Sequence, residues 1–253
     1  MKKSKEKESD FKEMPFLDHL EELRWRILKC LGSVFLFTIV AFPFTGVLLN
    51  LLTLPNDHLQ KPAKLIFLKP AGMLMVRMEV ALAVGIIVSL PVLFYQFWQF
   101  VGPGLLPKEK KYFLPAIFFT TICFLLGTAF AYFILIPVVL PFLFSMGTET
   151  IEPNINITEY MSFVLRLIII GGMVFELPVL TFFLSRIGLV SPKFLKKYRR
   201  YAIVLVFIFS AIVTPPDPMS QLLMAFPLLF LYEISIWISI IGHRRKKAAD
   251  RAM

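Results

Sequence analysis

The residues in this 253-residue chain whose type and placing could do chemistry are few, and most are carboxylates and arginines. Glu176 stands inside the apolar run Leu167 to Ser185 as the tenth of its 19 residues. An ionised carboxylate at that depth of a membrane costs about 2.5 to 3.5 kcal/mol on insertion scales, so the group must find a partner, water or a proton. Two readings follow: a hydrogen-bonded acid that glues helices together, or an acid that takes part in transport. Gly171 and Gly172 before it and Pro178 after it predict close backbone approach and a kink. Glu233, in the last apolar run, lies nearer one end and reads as a snorkelling or interhelical hydrogen-bonding group.

A second set lies before the first apolar run, in the stretch His19-Leu20-Glu21-Glu22-Leu23-Arg24-Trp25-Arg26. Glu22 and Arg26 are four apart and Glu21 and Arg24 three apart, so each pair shares a helix face, and by spacing alone these are surface ion pairs. Asp18 and Glu21 have the spacing of a weak capping box, and Leu20, Leu23, Ile27 and Leu31 give an amphipathic helix leading into the membrane. Glu109 is a lone acid among Lys108, Lys110 and Lys111 in a loop rich in Gly and Pro.

Other chemistry is excluded. His19, His58 and His243 fall in three separate flanks, and Cys30 and Cys123 each sit in an apolar run with neither metal nor disulfide spacing, so no metal and no cofactor are assigned. The chain holds no G-x-x-x-x-G-K phosphate loop, no H-E-x-x-H and no G-x-S-x-G, which removes the ATPase and hydrolase readings and leaves a protein that is not an enzyme.

The elements that must position these groups are transmembrane helices. A chain 57% apolar, with mean hydropathy +0.74, cannot hide that surface in one soluble core. Six long runs emerge: Ile27 to Leu52, Val80 to Val101, Tyr112 to Met146, Leu167 to Ser185, Tyr201 to Val213 and Met219 to Ile241. The charged start and the long first run predict a retained span rather than a cleaved signal peptide. Alternate flanks hold 21 Lys and Arg against 3, so the net charge of +10 marks orientation in a bilayer, with both termini cytoplasmic. The expected fold is therefore an all-α integral membrane protein with six transmembrane helices (14–242), a disordered basic tail (1–13) and a basic cytoplasmic tail (243–253).

Two runs are unusual in length. The third, uncharged over 35 residues, would reach about 52 Å as a straight helix and must protrude, tilt or break, with Pro137 and Pro141 marking the bend. The fifth has 13 residues before Thr214-Pro215-Pro216-Asp217-Pro218 stops it, about 20 Å of helix, which requires a shielding neighbour or a thinned bilayer.

Four local patterns occur in order: HLEELRWR before the first run, LPKEKK after the second, FELP in the fourth and TPPDPMSQ between the fifth and sixth. Together they resemble the C subunit of the twin-arginine protein translocase, over about Met14 to Gly242. The resemblance implies that Glu22 and Glu109 lie in a cytoplasmic site that recognises twin-arginine signal peptides of folded proteins, with Arg24 and Arg26 as a basic pair beside Glu22. It implies that Glu176 is the family's intramembrane acid, that Pro55 is its proline after the first span, and that Pro215, Pro216 and Asp217 form its tight outer turn. Thr214 and Gln221 match a polar patch that docks the single-span partner subunits TatA and TatB, although Ala211, Ile212 and Val213 offer nothing polar beside Thr214. The implied role is a receptor and scaffold in a translocase driven by the proton-motive force, in the inner membrane of a prokaryote. The competing expectation from another class, an ion- or proton-coupled small-solute transporter, rests on Glu176 and Glu233 and lacks the internal repeat such folds carry.

Overall fold

The computed structural model describes residues 16–59, 61–101, 113–145, 154–188, 190–214 and 217–251. The expected tail 1–13 and the residues Glu109, Pro215 and Pro216 lie outside the described residues.

The first apolar run belongs to a longer rod. Helix α1 (Phe16–Ala41) passes through a 3-10 turn (Phe42–Phe44) into α2 (Thr45–Asp57). The turn sits where Pro43 lacks the N–H that an α-helical ladder needs. Because α1 is already under way at Phe16, Asp18 and Glu21 do not begin it, and the capping-box expectation fails. The second run begins earlier than Val80, as α3 (Gly72–Val101), which brings Glu79 into the helix.

The long third run breaks as expected, but by a specific device. Helix α4 (Phe113–Phe130) gives way to a π-helical turn (Ala131–Leu135) and then α5 (Ile136–Ser145). Pro137 has no N–H to offer the carbonyl of Phe133, and its ring crowds that carbonyl, so the ladder widens in the turn before it. Pro141 is carried inside α5 without ending it.

The fourth run starts at Ile157, not Leu167. Asn156 caps α6 (Ile157–Phe175) by accepting a hydrogen bond from the Thr158 N–H at 3.1 Å. The segment continues as α7 (Leu177–Ile187), with Glu176 at the joint. A short α8 (Pro192–Lys197), capped by Ser191, leads into α9 (Arg199–Val213), and α10 (Pro218–Arg251) ends the order. Two three-residue strands, absent from the expectation of an all-helical chain, pair in parallel: β1 (Lys64–Ile66) with β2 (Asn154–Asn156).

Among the described residues five helical stretches are long and apolar enough to cross a membrane: 19–57, 72–100, 114–145, 157–186 and 218–242. They coincide with five of the six expected runs. The remaining one, α9, is helical but has only 15 residues, about 22 Å. The chain is a multi-pass membrane protein, and its surface agrees: Phe226 is 74% exposed, Trp237 71% and Phe35 68%. So many large apolar groups facing outward require a lipid environment.

The core lies where α3, α5, α6 and α10 meet, around Val76, Val80, Ile136, Leu140, Met161, Leu167 and Met224. Helix α1 packs mainly on α3, α6 on α4, and α7 on α10. The α4–α6 crossing is backbone to backbone: a Cβ on Gly127 would fall 2.5 Å from the Gly171 carbonyl oxygen and 2.8 Å from Gly172 Cα. Without a strong hydrophobic drive between helices in lipid, such close approach supplies the packing energy.

Candidate functional site

Three polar constellations emerge from this frame. The first lies at the start of α1 and the end of α3. One turn separates Glu22 from Arg26, and the Arg26 guanidinium donates through Nε (3.0 Å) and Nη2 to the same carboxylate oxygen, Glu22 Oε1. Its Nη1 donates to Gln99 Oε1 at 2.8 Å and Gln96 Oε1 at 3.3 Å, both on α3. Glu22 Oε2 is buried and has no hydrogen-bond partner among the described residues; His19 Nδ1 stands 3.6 Å from it. The His19 ring stacks flat on Phe100, centroids 4.3 Å apart. The spacing-based ion pair between Glu22 and Arg26 is thus present, and it is well covered, with side chains 21% and 13% exposed. Arg24 and Glu21 point to the exposed face. Gln96 and Gln99 were not anticipated: uncharged residues inside an apolar run give no signal until a partner 70 residues away is seen beside them.

The second constellation is Glu176. It is 6% exposed, and neither carboxylate oxygen has a hydrogen-bond partner among the described residues. The backbone of Phe124 on α4 approaches it without hydrogen-bond geometry. The break at Glu176 follows from Pro178, which cannot donate to the Val174 carbonyl, so the chain tightens there and the Glu176 N–H turns to the Met173 carbonyl at 3.1 Å. The helix is interrupted at this acid, and the close glycine contact expected near it is present. Counted from Ile157, Glu176 is the twentieth residue of the α6–α7 pair, because the helix begins ten residues before the apolar run.

The third is the α9–α10 hairpin. Asp217 is the N-cap of α10: its Oδ1 accepts from the Ser220 N–H at 2.7 Å, with Pro218 at the first helical position. Buried Thr214 donates to the Ser210 carbonyl at 2.9 Å, and Gln221 Nε2 to the Phe207 carbonyl at 2.9 Å. Among the described residues Ser210 Oγ, Ser220 Oγ and Asp217 Oδ2 are buried without hydrogen-bond partners. The patch is therefore richer than Ala211, Ile212 and Val213 suggested, because Ser210 lies one helical turn before Thr214. Beside it, an apolar cavity of about 450 Å³ opens between the π-helical turn, α5, α9 and α10, lined by Leu135, Val139, Phe207, Met219 and Leu223 among others.

The supporting residues have clear roles. Pro55 is buried in the last turn of α2. Tyr132 and Tyr160 donate to the carbonyls of Leu51 (2.6 Å) and Leu52 (3.1 Å) just before it. Next to it, the Asn56 side chain clamps Ala63, accepting from its N–H at 3.0 Å and donating to its carbonyl at 3.1 Å. Glu79, one residue before the apolar run that begins at Val80, accepts from Ser162 at 2.9 Å. Glu233 pairs with Arg199 at 2.6 Å, an interhelical contact of the kind expected for it. Among the described residues no three His, Cys, Asp or Glu side chains gather as a metal site would require.

Comparison with known proteins places this geometry in a family. Residues 18–227 match the family model described as Sec-independent protein translocase protein (TatC). The Sec-independent protein translocase protein TatC of Aquifex aeolicus (strain VF5) is 37% identical over 241 residues, covering 94% of this chain and all of that one. The TatC of Helicobacter pylori (strain ATCC 700392 / 26695) is 39% identical over 221 residues, covering 87% and 85%. A crystal structure of the twin arginine translocase receptor TatC superposes with a TM-score of 0.80 at 36% identity, over 88% of this chain and 99% of that one. The small-solute transporter reading is not favoured. With relatives this similar along nearly the whole chain, and a solved structure of the same shape, the chain belongs to the TatC family of Sec-independent protein translocases.

Proposed function

We propose that this chain is the core receptor subunit of a twin-arginine translocase, and that it recognises the twin-arginine signal peptides of folded proteins at its cytoplasmic face. The observation that carries this reading is the Glu22 site, a carboxylate held between α1 and α3 and already occupied by a guanidinium, that of Arg26. A site shaped to one guanidinium has the fork geometry and charge to accept another. Glu109 supplies the second carboxylate, so that two adjacent arginines each meet an acid, while Arg24 and Arg26 tune the field around Glu22. The chain crosses the inner membrane of a prokaryote six times, with α9 as a short fifth span and both termini cytoplasmic; the excess of Lys and Arg on alternate flanks supports this.

The single-span partners TatA and TatB dock at Thr214 and Gln221, where the Ser210 and Ser220 hydroxyls, without hydrogen-bond partners among the described residues, and the neighbouring apolar cavity offer one polar contact and one greasy one. Glu176 works during transport, and its lack of a hydrogen-bond partner among the described residues supports that over helix glue. The complex draws on the proton-motive force. Binding of a purified twin-arginine peptide, against its Lys-Lys version, tests the reading. Severalfold weaker binding by Glu22→Ala or Glu109→Ala, with nearly complete loss in the double variant, is expected. Unchanged affinity in the double variant would overturn it.

A further inference from the structure

We infer that Gln96 and Gln99 of α3 are specificity-determining positions of the recognition site: together they form a second seat that receives the Arg26 guanidinium when a ligand guanidinium takes Glu22. This rests on the receptor reading of Glu22. In the structure no oxygen of Glu22 stands open. Oε1 accepts two donors from Arg26, and Oε2 is buried beside His19. A paired, fork-like contact between a ligand arginine and this carboxylate therefore requires Arg26 to leave it.

Arg26 has somewhere to go. Its side chain is only 13% exposed, so an abandoned guanidinium there would be a poorly solvated and unpaired charge, which is costly. Gln96 and Gln99 are three residues apart on one face of α3, and both of their carbonyl oxygens already accept from Nη1, at 3.3 and 2.8 Å. Neutral acceptors hold a guanidinium less firmly than a carboxylate does, so they can retain a displaced Arg26 without outcompeting Glu22 in the empty receptor.

The exchange also sorts ligands. A ligand arginine can replace both donors that Arg26 withdraws from Glu22, whereas a lysine brings a point charge without the planar fork. Preference for arginine over lysine then arises partly from competition with the resident arginine, not from attraction alone.

The test uses the full-length protein in detergent and two fluorescent peptides, one with adjacent arginines and one with adjacent lysines. Gln96→Leu with Gln99→Leu is expected to weaken the arginine peptide about tenfold or more, the scale of one lost hydrogen bond to a charged group. In an Arg26→Ala background the same pair of changes should alter affinity less than twofold, and Arg26→Ala itself should narrow the gap between the two peptides. Gln99→Leu alone, at an exposed position, should show a smaller loss with the same dependence on Arg26. Loss that persists undiminished without Arg26, or no loss at all, overturns the second seat. Should Glu22→Gln bind the arginine peptide as well as the unaltered protein does, the receptor reading itself falls, which separates the two failures.

Discussion

The Tyr132 hydroxyl, on the π-helical turn, donates to the carbonyl of Leu51 at 2.6 Å, and Leu51 is the residue four before Pro55. Pro55 has no N–H, so in a regular helix that carbonyl would stand without its partner. The tyrosine supplies the missing donor from another segment, and so couples the bend of the third span to the proline in the first. Tyr132→Phe is expected to cost about 1 kcal/mol of stability, the usual worth of one such bond. Pro55→Ala restores the N–H, and in that background Tyr132→Phe should be nearly silent. Melting temperatures of the four proteins check this; equal losses in both backgrounds would refute the coupling.

Asp217→Ala removes the cap of α10 and should cost about 0.5 to 2 kcal/mol, while Asp217→Ser or Asp217→Asn should keep most of the stability because each can still accept from the Ser220 N–H. Thermal unfolding in detergent distinguishes them. A loss as large in the serine variant as in the alanine variant would count against the cap.

Glu176→Gln replaces a carboxyl by an amide of the same shape. If Glu176 exchanges a proton or meets a charge during transport, export of a twin-arginine substrate should fall severalfold or more, with the protein present at normal levels and still inserted. Full export would show that the acid is dispensable.

Orientation can be checked by cysteine labelling in a variant lacking Cys30 and Cys123. A cysteine at position 64, on β1, should react with an impermeant reagent from outside the cell, and one at position 196, on α8, only after the membrane is opened. The reverse pattern would sink the six-span arrangement.

The long helices were legible because a bilayer demands length and apolarity and little else, and both can be counted along a chain. Their ends were less so. Glu159 and Arg166 made the first ten residues of α6 look like loop, although a helix that leaves the apolar layer early can carry charge on its exposed side. Pro43 lies inside an apolar run of ordinary length and gives no signal there, whereas Pro137 stands in an overlong run where length itself demands a break. Within the site, Glu22, Arg26 and Glu176 were visible as charges out of place. Gln96, Gln99, Ser210 and Asn56 were not, because their importance lies in what they face, and facing is a property of the folded chain.

The small parallel pair of β1 and β2 carries a consequence for how this chain assembles. Its partners Lys64 and Asn154 are 90 residues apart, and the chain between them contains α3, α4 and α5. Loop-closure entropy grows with the length of intervening chain, and contacts this distant form late. Since α3 and the α4–α5 rod are each long enough to span, both strands meet on one side of the membrane only after that hairpin has crossed and come back. The three-residue β-ladder can therefore form only once the intervening segments have brought Asn154 back beside Lys64.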